Sequence, residues 1–118
     1  MLVIREQQMA AFREYMVKQF GLRMLAYLTV AYPEKTSAIG GVELRALVFR
    51  GIQEANAYNL KTERTTQRYL EYLVLQGSDF GSTPETEWAG AILRRTDLTG
   101  SAKMDHIDDR YRAQSRDS

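Results

Sequence analysis

The segment LKTERTTQRYLEYL, residues 60–73, decides the class of fold because it combines a helix start with a helical repeat of apolar residues. Thr62 is a good N-cap residue, since its hydroxyl can accept a hydrogen bond from a backbone N–H of the first turn. Glu63 places a negative charge at the positive end of the helix. The predicted helix ends near Gln76, where Gly77 can adopt the left-handed conformation that closes a helix.

The two faces of this predicted helix differ in polarity. The side chains expected to face the core are Tyr69, Leu70, Tyr72 and Leu73. The side chains expected to face solvent are Glu63, Arg64, Gln67, Arg68 and Glu71. Val74 and Leu75 bring apolar bulk to the polar side in the last turn. These two residues therefore need cover from another part of the protein or from a partner.

The preceding residues repeat with the same helical period. They predict one helix from about Glu6 to Ala31 and a second from about Val42 to Tyr58, with residues 33–41 as a loop. Pro33 should end the first helix, because the residue before a proline avoids the α conformation. The first half of that helix has one apolar stripe, formed by Met9, Phe12, Met16 and Phe20. Its second half is apolar all round, which is typical of a central bundle helix or of one covered by a partner.

The later residues predict a short helix and then a weaker segment. Thr83 and Pro84 have the character of an N-cap and a first helical residue. A helix containing Trp88 should follow, whereas residues 97–118 should form a weakly structured, charged helix or tail with a frayed end. We therefore predict an all-α, single-domain bundle of four or five helices, with a helical domain over residues 1–96.

Composition narrows the classes of function. The chain has 118 residues, 16 Lys and Arg against 15 Asp and Glu, and no cysteine, so disulfides and thiolate metal sites are excluded. A net charge of +1 does not favour a surface built for phosphate contacts. The start of the chain lacks a signal-peptide pattern, and the most apolar stretch is shorter than the ~20 residues that a membrane span needs. We expect a cytoplasmic protein.

A catalytic or metal-binding constellation is not apparent. His106 lies among Asp105, Asp108 and Asp109, a grouping that we interpret as a solvated helix face rather than a metal site. The glycines of residues 77–81 lack the spacing and the strand of a phosphate-binding loop. We expect a protein that is not an enzyme and that has no metal or cofactor.

Two kinds of macromolecular partner are consistent with the pattern. Residues 62–72 resemble the reading helix of a helix-turn-helix DNA-binding regulator, but Glu63 and Glu71 offset Arg64 and Arg68, so we disfavour nucleic acid as the partner. A protein partner requires exposed apolar groups instead. The residues that fit the amphipathic stripes least well, or that lie in loops and short helices, are our candidates for protein binding: Phe49, Val74, Leu75, Phe80 and Trp88. The sequence leaves a homodimer open.

The order of segments also resembles a known group of proteins. The stretches IREQQMAAF (4–12), LRALVFRGIQEANAYNLKTERTTQRYLEYLVLQGSDFG (44–81) and TEWAGAIL (86–93) are similar to small helical proteins of type VI secretion loci, which are encoded beside PAAR or VgrG spike proteins, effectors and adaptor chaperones. The resemblance covers roughly residues 4–95. It implies a co-chaperone that binds an adaptor chaperone, an effector or a spike protein during effector loading, or else an immunity protein.

Overall fold

The computed structural model describes the backbone of residues 2–117 and the side chains of residues 6–115. Over this range the chain forms α-helices and no strand, which confirms the all-α class. The helices are α1 (Leu2–Ala31), α2 (Pro33–Ile39), α3 (Gly41–Ala57), α4 (Glu63–Gln76), α5 (Glu87–Leu93) and α6 (Gly100–Asp117). The described residues thus contain six helices, so the expectation of four or five was too low.

The additional helix is α2, in the segment that we expected to be a loop. Pro33 ends α1, but it also occupies the first turn of α2, where its fixed φ and missing N–H are no disadvantage. Glu34 adds a negative charge to the same turn. The hydroxyl of Thr36 donates to the backbone carbonyl of Tyr32 at 2.8 Å, and the Thr36 side chain is buried. One proline therefore both ends a helix and begins the next.

The chain divides into two compact units, one up to Phe49 and one from Arg50 onward. In the first unit α2 packs on α1. The buried apolar residues of this unit are Phe20, Met24, Leu28, Leu44, Leu47 and Val48. Gly21 lets α1 approach Phe49 closely, because a Cβ at position 21 would collide with carbons of the Phe49 ring. Among the described side chains of α1, those that are buried in this core therefore lie in the second half of the helix.

In the second unit α4 and α5 each pack on α6. Thr62 caps α4 as predicted, since its hydroxyl accepts a hydrogen bond from the backbone N–H of Thr65 at 3.1 Å. Gly77 closes the helix with φ of 111°. A Cβ at Gly51 would lie 2.6 Å from a methyl carbon of Leu70, so the glycine permits close packing against α4. The start and end of α4 were thus predictable from residues 62–77.

The short helix α5 begins later than predicted. Thr86, rather than Thr83, is its N-cap residue, and residues 78–86 form turns with one bend at residue 83. The Thr86 hydroxyl oxygen accepts a hydrogen bond from the backbone N–H of Gly81 at 2.9 Å, which holds the turn against the helix start. Gly81 has φ of 93°. It lies so close to Gly90 that a Cβ at position 90 would collide with the carbonyl oxygen of Gly81.

The helix α6 is longer and more firmly packed than we expected. It has 18 residues and extends to Asp117, within the end that we predicted to fray. Met104 and Ile107 are completely buried. Lys103 is only 2% exposed and donates to the backbone carbonyl of Tyr58 at 2.7 Å, at the end of α3. Among the described helices none is both long and apolar enough to cross a bilayer.

Candidate protein-binding surfaces

Arg68 joins α4 to α6. Its Nη2 atom lies 2.8 Å from a carboxylate oxygen of Asp105 and 2.6 Å from one of Asp108. The Arg68 side chain is 19% exposed, so the expectation that it faces solvent was wrong. Burial opposes its charge, but the hydrogen bonds to Asp108 and Asp105 outweigh that effect and raise the pKa of Arg68. The guanidinium of Arg68 is therefore engaged in the contact between α4 and α6.

Asp108 has a second partner on α4. The hydroxyl of Tyr72 donates to its other carboxylate oxygen. Burial of the tyrosine, reinforced by this hydrogen bond, raises the pKa of Tyr72 well above its ordinary value. One carboxylate of α6 thus accepts hydrogen bonds from both a guanidinium and a phenol of α4. Asp108 is for this reason the central polar residue of the α4–α6 contact.

A polar groove of about 500 Å³ lies along this contact. It is lined by Arg64, Arg68, Ser101, Asp105, Asp108, Asp109 and Arg112. The three arginines share the groove with three aspartates, and a carboxylate repels a phosphate. This arrangement gives no support to residues 62–72 as a DNA-reading helix, because Arg68 is already paired and acidic side chains lie beside Arg64.

An aromatic cluster adjoins this contact and shares Tyr72 with it. Phe80 stacks on Tyr72 with ring centroids 5.0 Å apart, and Tyr111 stacks on Tyr72 at 5.2 Å. Trp88 contacts Tyr111 edge to face, with ring centroids 5.1 Å apart. The Arg110 guanidinium lies 4.7 Å from the centroid of the Trp88 ring. The cluster fixes the loop that carries Phe80 and the helix that carries Trp88 against α6.

The five residues predicted to bind a protein have different environments. Val74 and Phe80 are buried, so in this structure neither offers surface to a partner. Trp88 is half-buried in the aromatic cluster, and Leu75 is exposed at the end of α4. Phe49 is half-buried in the other unit, against Gly21 and beside the guanidinium of Arg45. Only Leu75 presents a largely apolar, exposed side chain.

The sequence interpretation overlooked a larger apolar surface, on the first half of α1. We name it the α1 face and define it as Met9, Phe12, Tyr15, Met16 and Val17. These side chains are between 42% and 64% exposed. The sequence identified the stripe of Met9, Phe12 and Met16, but its periodicity alone does not distinguish a buried stripe from an exposed one. Of that stripe only Phe20 is buried.

The grouping around His106 is mostly exposed, but Asp108 departs from the solvated helix face that we expected. His106 and Asp109 are exposed, whereas Asp108 is engaged by Arg68 and Tyr72. Within the described residues no group of three or more histidines and carboxylates is arranged to hold a metal ion. Comparisons of the chain with protein-family models, with curated proteins and with solved structures found no match.

Proposed function

We propose that this protein is a non-enzymatic, protein-binding accessory factor and that it binds its partner through the α1 face. The observation that carries the proposal is the exposure of Met9, Phe12, Tyr15 and Met16, which range from 43% to 64% exposed on consecutive turns of one helix. Contiguous exposed apolar side chains mark interaction sites on soluble proteins. The α1 face is the richest group of such side chains in the part of the chain that the structure describes.

The arrangement supports a particular mode of binding. Met9, Phe12 and Met16 occupy positions i, i+3 and i+7 of α1, the spacing with which an amphipathic helix inserts anchors into an apolar groove. Methionine adapts its shape to different partners, and an aromatic side chain supplies a large apolar contact. Residues 6–18 are exposed on all sides of the helix, so a partner can approach this segment without displacing core residues.

The biological setting of the proposal comes from the resemblance described above. By that resemblance the partner is an adaptor chaperone, an effector or a PAAR or VgrG spike protein, and the protein acts in the bacterial cytoplasm as a co-chaperone during effector loading for type VI secretion. An immunity role is the related alternative. It differs in one observable respect, since an immunity protein binds the toxic effector itself and suppresses its toxicity.

Affinity purification from the native host tests the proposal. The native protein should retain an adaptor chaperone, an effector or a spike protein, and Phe12→Glu should lose it because a carboxylate replaces an apolar anchor. Gln7→Glu is the matched control: it introduces the same charge on the same exposed helix, about 140° around the axis from Phe12. Retention of the same partner by Phe12→Glu, or recovery of none by the native protein, would overturn the proposal.

A further inference from the structure

We infer that the α1 face pairs with the α1 face of a second copy of this chain, in antiparallel orientation. This inference rests on the proposed function only because both use the α1 face. The molecule bound there is a second copy of the chain rather than a different protein. The second copy covers the face when no other partner is bound. Two observations carry the inference: the spacing of the apolar side chains, and the distribution of charge on the two sides of the stripe.

The spacing is that of a helix pair. Met9, Phe12 and Met16 alternate at intervals of three and four residues, which is the spacing of the apolar seam in coiled coils. The exposed stretch from residue 6 to residue 18 is about 20 Å long at ~1.5 Å per residue. It therefore offers three successive apolar seam positions, Met9, Phe12 and Met16, to a partner helix.

The two sides of the seam differ in charge. Glu6 and Arg13 flank it on one side, seven residues apart and opposite in sign. Gln8 and Tyr15 flank it on the other side and carry no charge at neutral pH. Glu6 and Arg13 are exposed, and neither takes part in an ion pair with the side chains that the structure describes. Both charges remain available for a second chain.

The symmetry of the helix pair determines which orientation brings the opposite charges of the two copies together. In an antiparallel pair the two-fold axis is perpendicular to both helices, so each side of the seam meets the same side of the other copy. With Met9 opposite Phe12 of the second copy, Glu6 of each chain lies within one turn of Arg13 of the other. In a parallel pair the charged side would meet the uncharged side instead. The charge pattern therefore selects the antiparallel pair, with two identical ion pairs.

The size of the seam sets the strength of the association. Two helices in contact over about 20 Å bury less than the ~1,200 Å² at which stable interfaces begin. We therefore expect a weak, concentration-dependent dimer with a Kd in the micromolar range or above. A partner that binds the α1 face must displace the second copy, so self-pairing and partner binding exclude one another.

Sedimentation equilibrium of charge variants tests the inference. Glu6→Arg and Arg13→Glu should each weaken self-association about tenfold, because each places like charges opposite one another twice. The double variant, and an equimolar mixture of the two single variants, should recover the native Kd. Circular dichroism of each variant checks that helix content is kept. A native protein that stays monomeric to millimolar concentration would overturn the inference. A double variant that self-associates no more tightly than the single variants would do the same.

Single cysteines test the orientation, since the natural chain has none. In the antiparallel pair, residue 9 of each copy lies about 4.5 Å along the axis from its counterpart, whereas residue 16 lies about 16 Å from its counterpart. Met9→Cys should therefore form an intermolecular disulfide under mild oxidation, and Met16→Cys should not. Cross-linking of both variants would indicate a parallel pair and contradict the inference. Partner capture by a strictly monomeric protein would overturn self-pairing while leaving the proposed function intact.

Discussion

The guanidinium of Arg68 on α4 lies 2.6 Å from a carboxylate oxygen of Asp108 on α6, and the other oxygen of that carboxylate accepts a hydrogen bond from Tyr72. Both Arg68 and Asp108 are largely shielded from solvent. Removal of either partner would leave a partly buried charge with one hydrogen bond fewer, since Arg68 would keep only Asp105 and Asp108 would keep only Tyr72. The contact therefore contributes more to stability than an ion pair on the surface.

The first prediction concerns this ion pair. We expect Arg68→Ala to lower the free energy of unfolding by about 1.5–3 kcal/mol, the usual contribution of hydrogen bonds to charged groups. A double-mutant cycle with Asp108→Ala should give a favourable coupling energy in chemical denaturation. Arg95→Ala is the control, because Arg95 pairs with Asp97 only two residues away and on the surface, and it should leave stability unchanged. Equal effects of Arg68→Ala and Arg95→Ala would contradict the assignment.

The second prediction concerns the cap of α4. Thr62→Ala removes the hydroxyl that accepts a hydrogen bond from Thr65 N–H, and the free energy of unfolding should fall by about 1 kcal/mol. Thr29→Ala provides the comparison. The Thr29 hydroxyl is exposed and donates only to the carbonyl of Leu25 within α1, so its loss should have little effect. A Thr62→Ala variant as stable as the native protein would show that the cap is dispensable.

The third prediction concerns the close approach of Gly90 to Gly81. A Cβ at position 90 would meet the carbonyl oxygen of Gly81, which is part of the backbone and cannot rotate away. Gly90→Ala should therefore lower the free energy of unfolding by about 1–3 kcal/mol, despite the better helix propensity of alanine. Gly41→Ala, where a Cβ has open space, should not destabilise the protein. Thermal unfolding of both variants measures the difference.

The fourth prediction concerns stability at alkaline pH. Burial, reinforced by Asp108, raises the pKa of Tyr72 above the ordinary tyrosine value of 10.0. The folded protein thus keeps this phenol protonated when the unfolded chain begins to lose the proton. The resulting stability is present below pH 10 and is lost as the pH rises from there towards the folded pKa.

Tyr72→Phe isolates this contribution from the other groups that titrate at high pH. The native protein should be more stable than Tyr72→Phe at pH 8, and the difference should shrink above pH 10. Lys103 acts in the opposite direction, since burial lowers its pKa, but it is common to both proteins and cancels in the comparison. A difference that is constant from pH 8 to pH 11 would contradict a raised pKa for Tyr72.

The helices of this protein were predictable wherever local chemistry specifies them. The N-cap at Thr62 and the end of α4 at Gln76 follow from local preferences, and both predictions were confirmed. Gly77 has a positive φ of 111°, but its ψ of 157° lies outside the left-handed helical conformation that we expected. Pro33 was misinterpreted because the same residue that ends one helix is favoured at the start of another. The packing of α6 depends on long-range contacts that bury Met104 and Ile107, and residues 97–118 alone do not specify those contacts.

The candidate surfaces were harder to predict than the helices. A helical period identifies residues that share a face, but only tertiary structure determines whether that face is covered. The stripe of Phe20 and Met16 illustrates this, because Phe20 is buried while Met16, one turn away, is exposed. Arg68 illustrates the converse, since a residue on the polar face of α4 became part of an internal contact once α6 supplied Asp108.

The central claim is that the α1 face binds a protein partner. Its most direct test is a binding titration of the partner recovered by affinity purification against the native protein, Phe12→Glu and the control Gln7→Glu, with each chain held at a concentration where it is monomeric. We predict that Phe12→Glu weakens binding at least about tenfold and that Gln7→Glu leaves the Kd unchanged. Equal affinities of the native protein and Phe12→Glu would contradict the claim.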